Sequence, residues 1–362
     1  MRCLKNVKPT PEQLKIVSRN RPGVEVIRGA AGSGKTTTAI LRLNSLVEFV
    51  KSRRTRTGNT DPVRILLLTY NRTLRGYVNE LVEDQVAREK KVEFTINTFS
   101  KWAVDLTGHK HIVPHGRRAT IIESLGKKLN YPLDFLISEV EYLMGRFSPD
   151  NLDEYLTARR DGRGTTPRVE KAQRHTILEE VVKPYQDWLS SNNLIDWNDL
   201  ALAAINNVQS QKYDIVIVDE AQDFSANQIR AITQHIADVS FLTFVLDTVQ
   251  RIYARGYTWA ETGLTIRPEN SWRLGRNYRN TKQIAQFAAA LVQQIPVDDD
   301  STLPDFEASE RDGKLPQVLK GKFSDQLNYA IAEIQKNVDL DSESVAFLHP
   351  LGWFNHTNPD FS

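Results

Sequence analysis

The sequence predicts an α/β protein with a helical segment set between its strands and a smaller second unit near its end. Three observations carry this expectation: short apolar runs bounded by polar or Gly-rich turns, helical spacing of apolar residues between those runs, and a stretch from Trp102 to Asp196 where helical spacing continues without a buried strand. A chain of 362 residues also exceeds the size at which one hydrophobic core keeps growing, so units of about 100 to 200 residues follow. Apolar residues make up 40% and charged ones 25%, ordinary globular composition that speaks against disorder. The formal charge of +2 confines any nucleic-acid surface to a local patch.

Taken in order, the strands are Val24 to Gly29, Arg64 to Tyr70, Tyr213 to Glu220 and Ser240 to Asp247, short apolar runs that read as buried strands of a parallel sheet. After Lys35, a helix presents Ile40, Leu43, Leu46, Val47 and Val50 on one face. Ile121, Leu125 and Leu129 continue helical spacing in the middle segment. The basic, Gly-containing stretch Ala158 to His175 is either a solvated loop or a nucleic-acid contact. A smaller basic stretch from Lys51 connects a helix to the second strand. From about Thr265 a new unit is expected: a helix through Ile284 to Val292, an acidic linker, then strand, helix and strand in QVLKGKF, DQLNYAIAEIQKNV and SVAFLHP. A βαβ fragment of that size cannot cover both faces of a sheet, so the unit reads as incomplete. The expected division is 1–100 with 197–264, a helical insertion at 101–196, and 265–362.

The single cysteine, Cys3, excludes an internal disulfide framework and a cysteine zinc cluster, and it fits a reducing compartment. The opening residues lack a signal-peptide pattern, and the longest apolar runs fall far below the roughly 18 residues of a membrane span. A soluble, cytoplasmic protein with no membrane partner is expected.

GAAGSGKT, Gly29 to Thr36, lies between an expected strand and an expected helix, the context in which G-x-x-x-x-G-K-[ST] forms a phosphate cradle. Gly29, Gly32 and Gly34 permit the dihedrals that turn backbone N–H groups inward along Gly29, Ala30, Ala31, Gly32, Ser33 and Gly34. Lys35 places a cation between the terminal phosphates of ATP, and the Thr36 hydroxyl can ligate Mg²⁺. VIVDEAQD, Val216 to Asp223, ends another strand, where open α/β sheets place ligand chemistry. Asp219 would hold the metal, and Glu220 is placed to polarise the water that attacks the γ-phosphate. Without the phosphate cradle, the same Asp-Glu pair would read as a helix start.

GAAGSGKT together with DEAQD resembles the UvrD/Rep type of superfamily 1 helicases, and further motifs agree in order and spacing over nearly the whole chain. The resemblance implies a RecA-like P-loop NTPase domain with a helical insertion, followed by an incomplete second RecA-like domain. TPEQLKIV resembles the Q-motif, which implies that Gln13 reads adenine. LTYNRTL, with Tyr70 and Asn71, and TINTFSKWA, with Thr98, Phe99 and Trp102, resemble segments that touch single-stranded DNA. DTVQRIY resembles the motif whose Gln250 senses the γ-phosphate. NYRNT implies that Tyr278 stacks on adenine and that Arg279 reaches the γ-phosphate across a cleft. Residue 37, Thr37, stands where many members carry an adenine-sandwiching arginine, and ARGYTW replaces a Trp-Arg-Gly sequence, which moves the expected base-stacking ring to Tyr257 or Trp259. Base stacking and ordinary core packing are both open for these rings.

The implied activity is ATP-driven movement along single-stranded DNA, 3′ to 5′ by the resemblance. The family's later motifs have no counterpart here, so the competing expectation is an ATP- and DNA-binding module with little hydrolysis, completed by a partner chain or further residues. A small-molecule P-loop kinase would leave Gln13, Gln250 and Arg279 unexplained.

Overall fold

The computed structural model describes residues 9–30, 32–69, 91–108, 111–159, 169–208, 212–247, 257–292, 309–343 and 345–347. They fall into two units, within 1–313 and 314–362.

The first unit is built on a six-stranded parallel sheet in the order β3-β2-β4-β5-β1-β6. Its strands are β1 (Gly23–Gly29), β2 (Val63–Thr69), β3 (Val92–Thr98), β4 (Tyr213–Val218), β5 (Ile236–Asp247) and β6 (Ser271–Leu274). On one face lie α1 (Pro11–Val17) and α2 (Lys35–Thr57), whose Ile40, Leu43, Leu46, Val47 and Val50 are buried as their spacing predicts. The opposite face is covered by α3 (Phe99–Thr107), α8 (Trp197–Asn206) and α9 (Ala226–Gln234), giving the sheet two apolar layers. Both faces are therefore dry, which is why the inner strands are mostly apolar on both sides rather than alternating.

Between α3 and α8 the described chain is helical. α4 (His115–Gly126), α5 (Leu133–Arg146), α6 (Lys171–Ile177) and α7 (Lys183–Ser191) enclose a separate core around Val140, Tyr155, Val181 and Tyr185. α6 and α7 are joined by a π-helical turn, Leu178–Val182, in which the Lys183 N–H donates to Leu178 O, five residues back. Pro184, which has no N–H to donate, directly follows this turn. Half of the basic stretch Ala158 to His175, at 160–168, lies outside the described residues, and its end enters α6.

Three differences from the sequence reading have physical causes. β3 was not expected: it is an edge strand whose residues are only half-buried, so VEFTINT carries no continuous apolar run. β6 falls beyond the expected boundary at 265, yet it pairs with β1. Arg19 fixes this arrangement by contacting Glu25 at 2.8 Å and Asn270 at 2.7 Å, while Trp272 Nε1 donates to Glu25 at 2.6 Å. After β6, β7 (Asn277–Thr281) and β8 (Ser309–Arg311) form a two-stranded sheet with α10 (Lys282–Val292) against it. Finally, the strand expected at QVLKGKF is absent: residues 317–320 are irregular and precede α11 (Phe323–Asn337). Within that second unit α11 packs on the irregular segment through Tyr329 to Gln317 at 3.1 Å and Gln326 to Leu319 O at 3.1 Å. No neighbouring strand among the described residues pairs with this segment, so its backbone has nothing to extend against.

Candidate nucleotide-binding site

Strand order assembles the site. β4, β5 and β1 are adjacent and parallel, so the loops that leave them emerge at the same edge of the sheet, and Gly29 lies in register with Asp247. The chain leaving β1 turns into α2 through Gly32 and Gly34, both left-handed with φ of 86° and 81°. Gly29 is required for a different reason: a Cβ there would stand 2.4 Å from Ser33 Oγ and 2.9 Å from Leu274 O. Gly34 caps α2, and its carbonyl accepts from Thr38 N at 2.8 Å. The cradle's Ala31 lies outside the described residues.

Inside the turn, Lys35 is buried, and its Nζ donates to Ala30 O at 2.9 Å while lying 3.4 Å from Asp247 Oδ2. Thr36 Oγ1 donates to Asp219 Oδ2 at 2.9 Å, which joins the start of α2 to the end of β4. Asp219 continues the sheet beyond β4, since its N–H donates to Leu68 O at 2.9 Å. Its side chain is almost inaccessible. Burial, and then the neighbouring Glu220, pushes the Asp219 carboxyl up to about 6, against the opposing pull of Thr36 and Lys35. Burial, then Glu220 and Asp247, likewise raises Asp223. Asp219, Glu220, Asp223 and Asp247 thus crowd one corner, and a cation relieves such crowding.

These residues fit a magnesium nucleotide on three grounds. A crowded acidic corner adjoins the lysine, the Thr36 and Asp219 oxygens lie close enough to share one cation, and Ser33 Oγ is buried without a hydrogen-bond partner among the described residues. Among those residues no group of three or more His, Cys, Asp or Glu side chains could hold a metal by itself. A magnesium ion at Thr36 and Asp219 would therefore depend on phosphate oxygens and water, the usual habit of that ion.

Glu220 follows with φ 51° and ψ 41°, an uncommon backbone for a residue with a side chain. Its N–H donates to Asp219 Oδ1 at 3.0 Å, and its Oε2 accepts from Gln222 Nε2 at 2.5 Å. The other end of that amide, Gln222 Oε1, accepts from the N–H of Asp247 at 3.1 Å. Gln222 and the carboxylate of Asp247 are site residues that motif reading did not assign. Their signal lay in the quoted motifs, but the contact between them needs the order of β4 and β5.

On the other side of the cradle, α1 begins with a capping box in which Thr10 N donates to Gln13 Oε1 at 2.9 Å and Gln13 N donates to Thr10 Oγ1 at 3.3 Å. Gln13 is buried, so one lone pair of its amide oxygen is already used. α1 is pinned to α2 by Arg42, which is wholly buried and donates to the carbonyl oxygens of Ile16, at 3.0 Å, and of Arg19. Burial lowers the Arg42 guanidinium to about 10. Thr37 sits half-buried in the first turn of α2.

The aromatic expectations need correction. Phe99 and Trp102 are buried beneath the sheet with their rings edge to face at 5.5 Å, and Trp102 also meets His235 edge-on at 5.2 Å. Tyr257 is buried in the same core, with its hydroxyl donating to Phe224 O at 2.8 Å. Trp259 is half-buried with its ring 4.6 Å from that of Phe244. Packed rings have no free face, so Phe99 and Tyr257 are core residues here rather than base-stacking platforms. Thr98 caps α3, its Oγ1 accepting from Lys101 N at 3.3 Å. Tyr70, Asn71 and Gln250 lie outside the described residues, as do the side chains of Tyr278 and Arg279 on β7.

No helix among the described residues is long and apolar enough to cross a membrane. Comparison with known proteins gives a family and a set of relatives. A probable DNA helicase II homolog of Mycoplasma capricolum is 25% identical over 312 residues, covering 78% of this chain and 40% of that protein. The ATP-dependent DNA helicase PcrA of Staphylococcus epidermidis is 25% identical over 343 residues, covering 88% and 44%. The chain thus spans less than half the length of these relatives. The family model for the UvrD/REP helicase N-terminal domain matches residues 10–261, so strands β1 to β5, the cradle and the DEAQD turn fall inside it while β6 lies beyond it, and the chain belongs to the UvrD/REP helicase family.

Proposed function

We propose that the chain is the nucleotide-driven part of a DNA helicase: it binds ATP with Mg²⁺, hydrolyses it, and moves on single-stranded DNA, 3′ to 5′ by family resemblance. The observation that supports this most directly is the junction of α2 with β4, where Thr36 and Asp219 lie 2.9 Å apart beside the buried Lys35. A Gly-rich turn serving only as a connection has no need of a buried lysine set beside Asp219 and Asp247.

In this reading Lys35 leaves Ala30 O and Asp247 for the phosphate oxygens, and Thr36 and Asp219 hold the metal. The bound Mg²⁺ supplies charge that offsets the charge developing on the phosphoryl group. Glu220 accepts a proton from the attacking water, and Gln250 senses the γ-phosphate. Gln13 and Tyr278 recognise adenine, and Arg279 contributes a guanidinium to the phosphoryl oxygens. Helices α4 to α7, with their own core, are an inserted domain in this reading, and β7, β8 and α10 begin a second RecA-like domain. Contacts to single-stranded DNA fall to Tyr70, Asn71, Thr98 and the partly exposed edge of Trp259.

The deciding experiment measures ATP turnover by the chain with and without saturating single-stranded DNA. Stimulation by DNA is expected. Turnover that ignores DNA, or nucleotide binding abolished by no substitution in Gly29 to Thr36, would overturn the reading.

A further inference from the structure

The network behind Glu220 points past the acid itself to the residue that aims it. We infer that Gln222 is a positioning residue for Glu220 and that it ties the direction of this carboxylate to the end of β5. The inference rests on the proposed role of Glu220 in hydrolysis.

Four observations lead here. Glu220 has a left-handed backbone, φ 51° and ψ 41°, so its side chain leaves the strand in a direction that an extended residue would not give. A residue in that region persists only when its surroundings hold it. The Asp219 carboxylate holds the backbone side, accepting from Glu220 N at 3.0 Å, and Gln222 holds the side chain at 2.5 Å. Gln222 is itself buried, with 6% of its surface accessible, and its amide is anchored at the far end by the N–H of Asp247 at 3.1 Å.

The chemistry of the amide fixes its orientation. Turned over, Gln222 would set its oxygen against the Glu220 carboxylate and its NH₂ against the N–H of Asp247, two repulsive contacts in place of two hydrogen bonds. One side chain therefore spans the exits of β4 and β5, and only an amide satisfies both ends. The Asp247 carboxylate lies 3.4 Å from Lys35 Nζ, so the chain of contacts runs from the phosphate lysine through Asp247 and Gln222 to the acid. A shift at the end of β5 is thereby transmitted to the aim of Glu220 over two hydrogen bonds.

The test is a double-substitution cycle on the full chain. Gln222→Met keeps the volume and removes both polar ends. Gln222→Leu likewise removes both polar ends without adding a charge, and it serves where the methionine variant folds poorly. Either change should lower kcat for ATP about 10²-fold, the cost of a misaimed catalytic group, with the Kd for ATP and the melting temperature held close to wild type. In a Glu220→Gln background the same change should cost nothing further. A merely structural Gln222 would slow both backgrounds equally or lower nucleotide affinity, and that result overturns the inference. So does wild-type turnover by both variants while Glu220→Gln is inactive. If Glu220→Gln itself turns over normally, the parent reading fails and this one goes with it.

Discussion

Two pairs of carboxylates lie in different cores of this molecule, Asp219 with Glu220 at the edge of the sheet and Asp196 with Asp199 at the start of α8. Asp219 and Asp196 are both nearly inaccessible. At α8 the fold answers the charge. Asp196 Oδ2 accepts from Tyr185 Oη at 2.7 Å and lies 3.0 Å from Arg118 Nε, while Asp196 Oδ1 accepts from Asn198 N at 2.9 Å. Burial lowers the affinity of Arg118 for its proton, but Asp196 and Glu141 more than compensate and the guanidinium is held charged. Burial and Asp196 together keep the Tyr185 hydroxyl protonated. At the sheet edge, Asp219 has the Thr36 hydroxyl and the Glu220 N–H, and Glu220 has Gln222, all neutral donors. The charge of Asp196 is thus answered by a buried guanidinium, whereas at the sheet edge Lys35 is the one neighbouring cation for several carboxylates among the described residues and a further cation can be accommodated.

Substitutions can break this distinction, beginning with the largest effect. Glu220→Gln should lose about 10² to 10⁴ in turnover while melting no lower than wild type; a lowered melting temperature would place Glu220 among the structural acids. Arg118→Ala should behave in the opposite way, costing about 3 to 5 kcal/mol of stability by stranding Asp196, with ATP affinity per folded molecule unchanged. Chemical denaturation and nucleotide titration of the same sample decide it, and an unchanged unfolding midpoint would refute the contrast. Lys35→Ala should weaken ATP binding about 10²-fold, the loss of one charge-assisted contact, as measured with a fluorescent nucleotide. Wild-type affinity in that variant would remove the cradle from the argument.

The smallest effect concerns pH. Burial first, and then the charge of Asp196, pushes Asp199 up to about 6, partly offset by the hydrogen bond from Asp196 N. Because the folded value is raised, the stability contributed by the neutral form is complete below the ordinary carboxylate range and is lost as pH rises through about 6. Asp199→Asn keeps an acceptor for Asp196 N and removes the charge. It should therefore stabilise the protein by about 2 kcal/mol at pH 8 and by nothing below pH 4. A gain that is flat with pH would show that the charge is not the cause.

Much of this was legible because it is local. The strands Val24 to Gly29 and Tyr213 to Val218 are short, mostly apolar runs, and the cradle and the DEAQD turn follow them directly in sequence. What escaped reading depends on neighbours distant in sequence. β6 has only the residues SWRL, and it joins the sheet through Arg19, Glu25 and Asn270. Tyr257 stands among polar residues and glycines in sequence, yet one hydrogen bond to Phe224 O lets its ring enter the core. Gln222 looks like a spacer inside DEAQD until β5 lies beside β4. The strand expected at QVLKGKF failed for the converse reason, since suitable residues do not make a strand without a partner.

The π-helical turn at Leu178–Val182 has a consequence for how the helical core tolerates change in length. A turn closed five residues back, as from Lys183 N–H to Leu178 O, holds one residue more than an α-turn, so the rod from 171 to 191 carries a stored insertion. Removing a single residue within that turn restores α-helical closure and leaves Tyr185 in phase to reach Asp196. Removing one from α7 between Tyr185 and Leu189 instead rotates everything beyond it by about 100°, and Leu189 leaves its place in the core. The helix thus has one site where chain length can drift without loss of register, set next to the buried charge that most depends on that register.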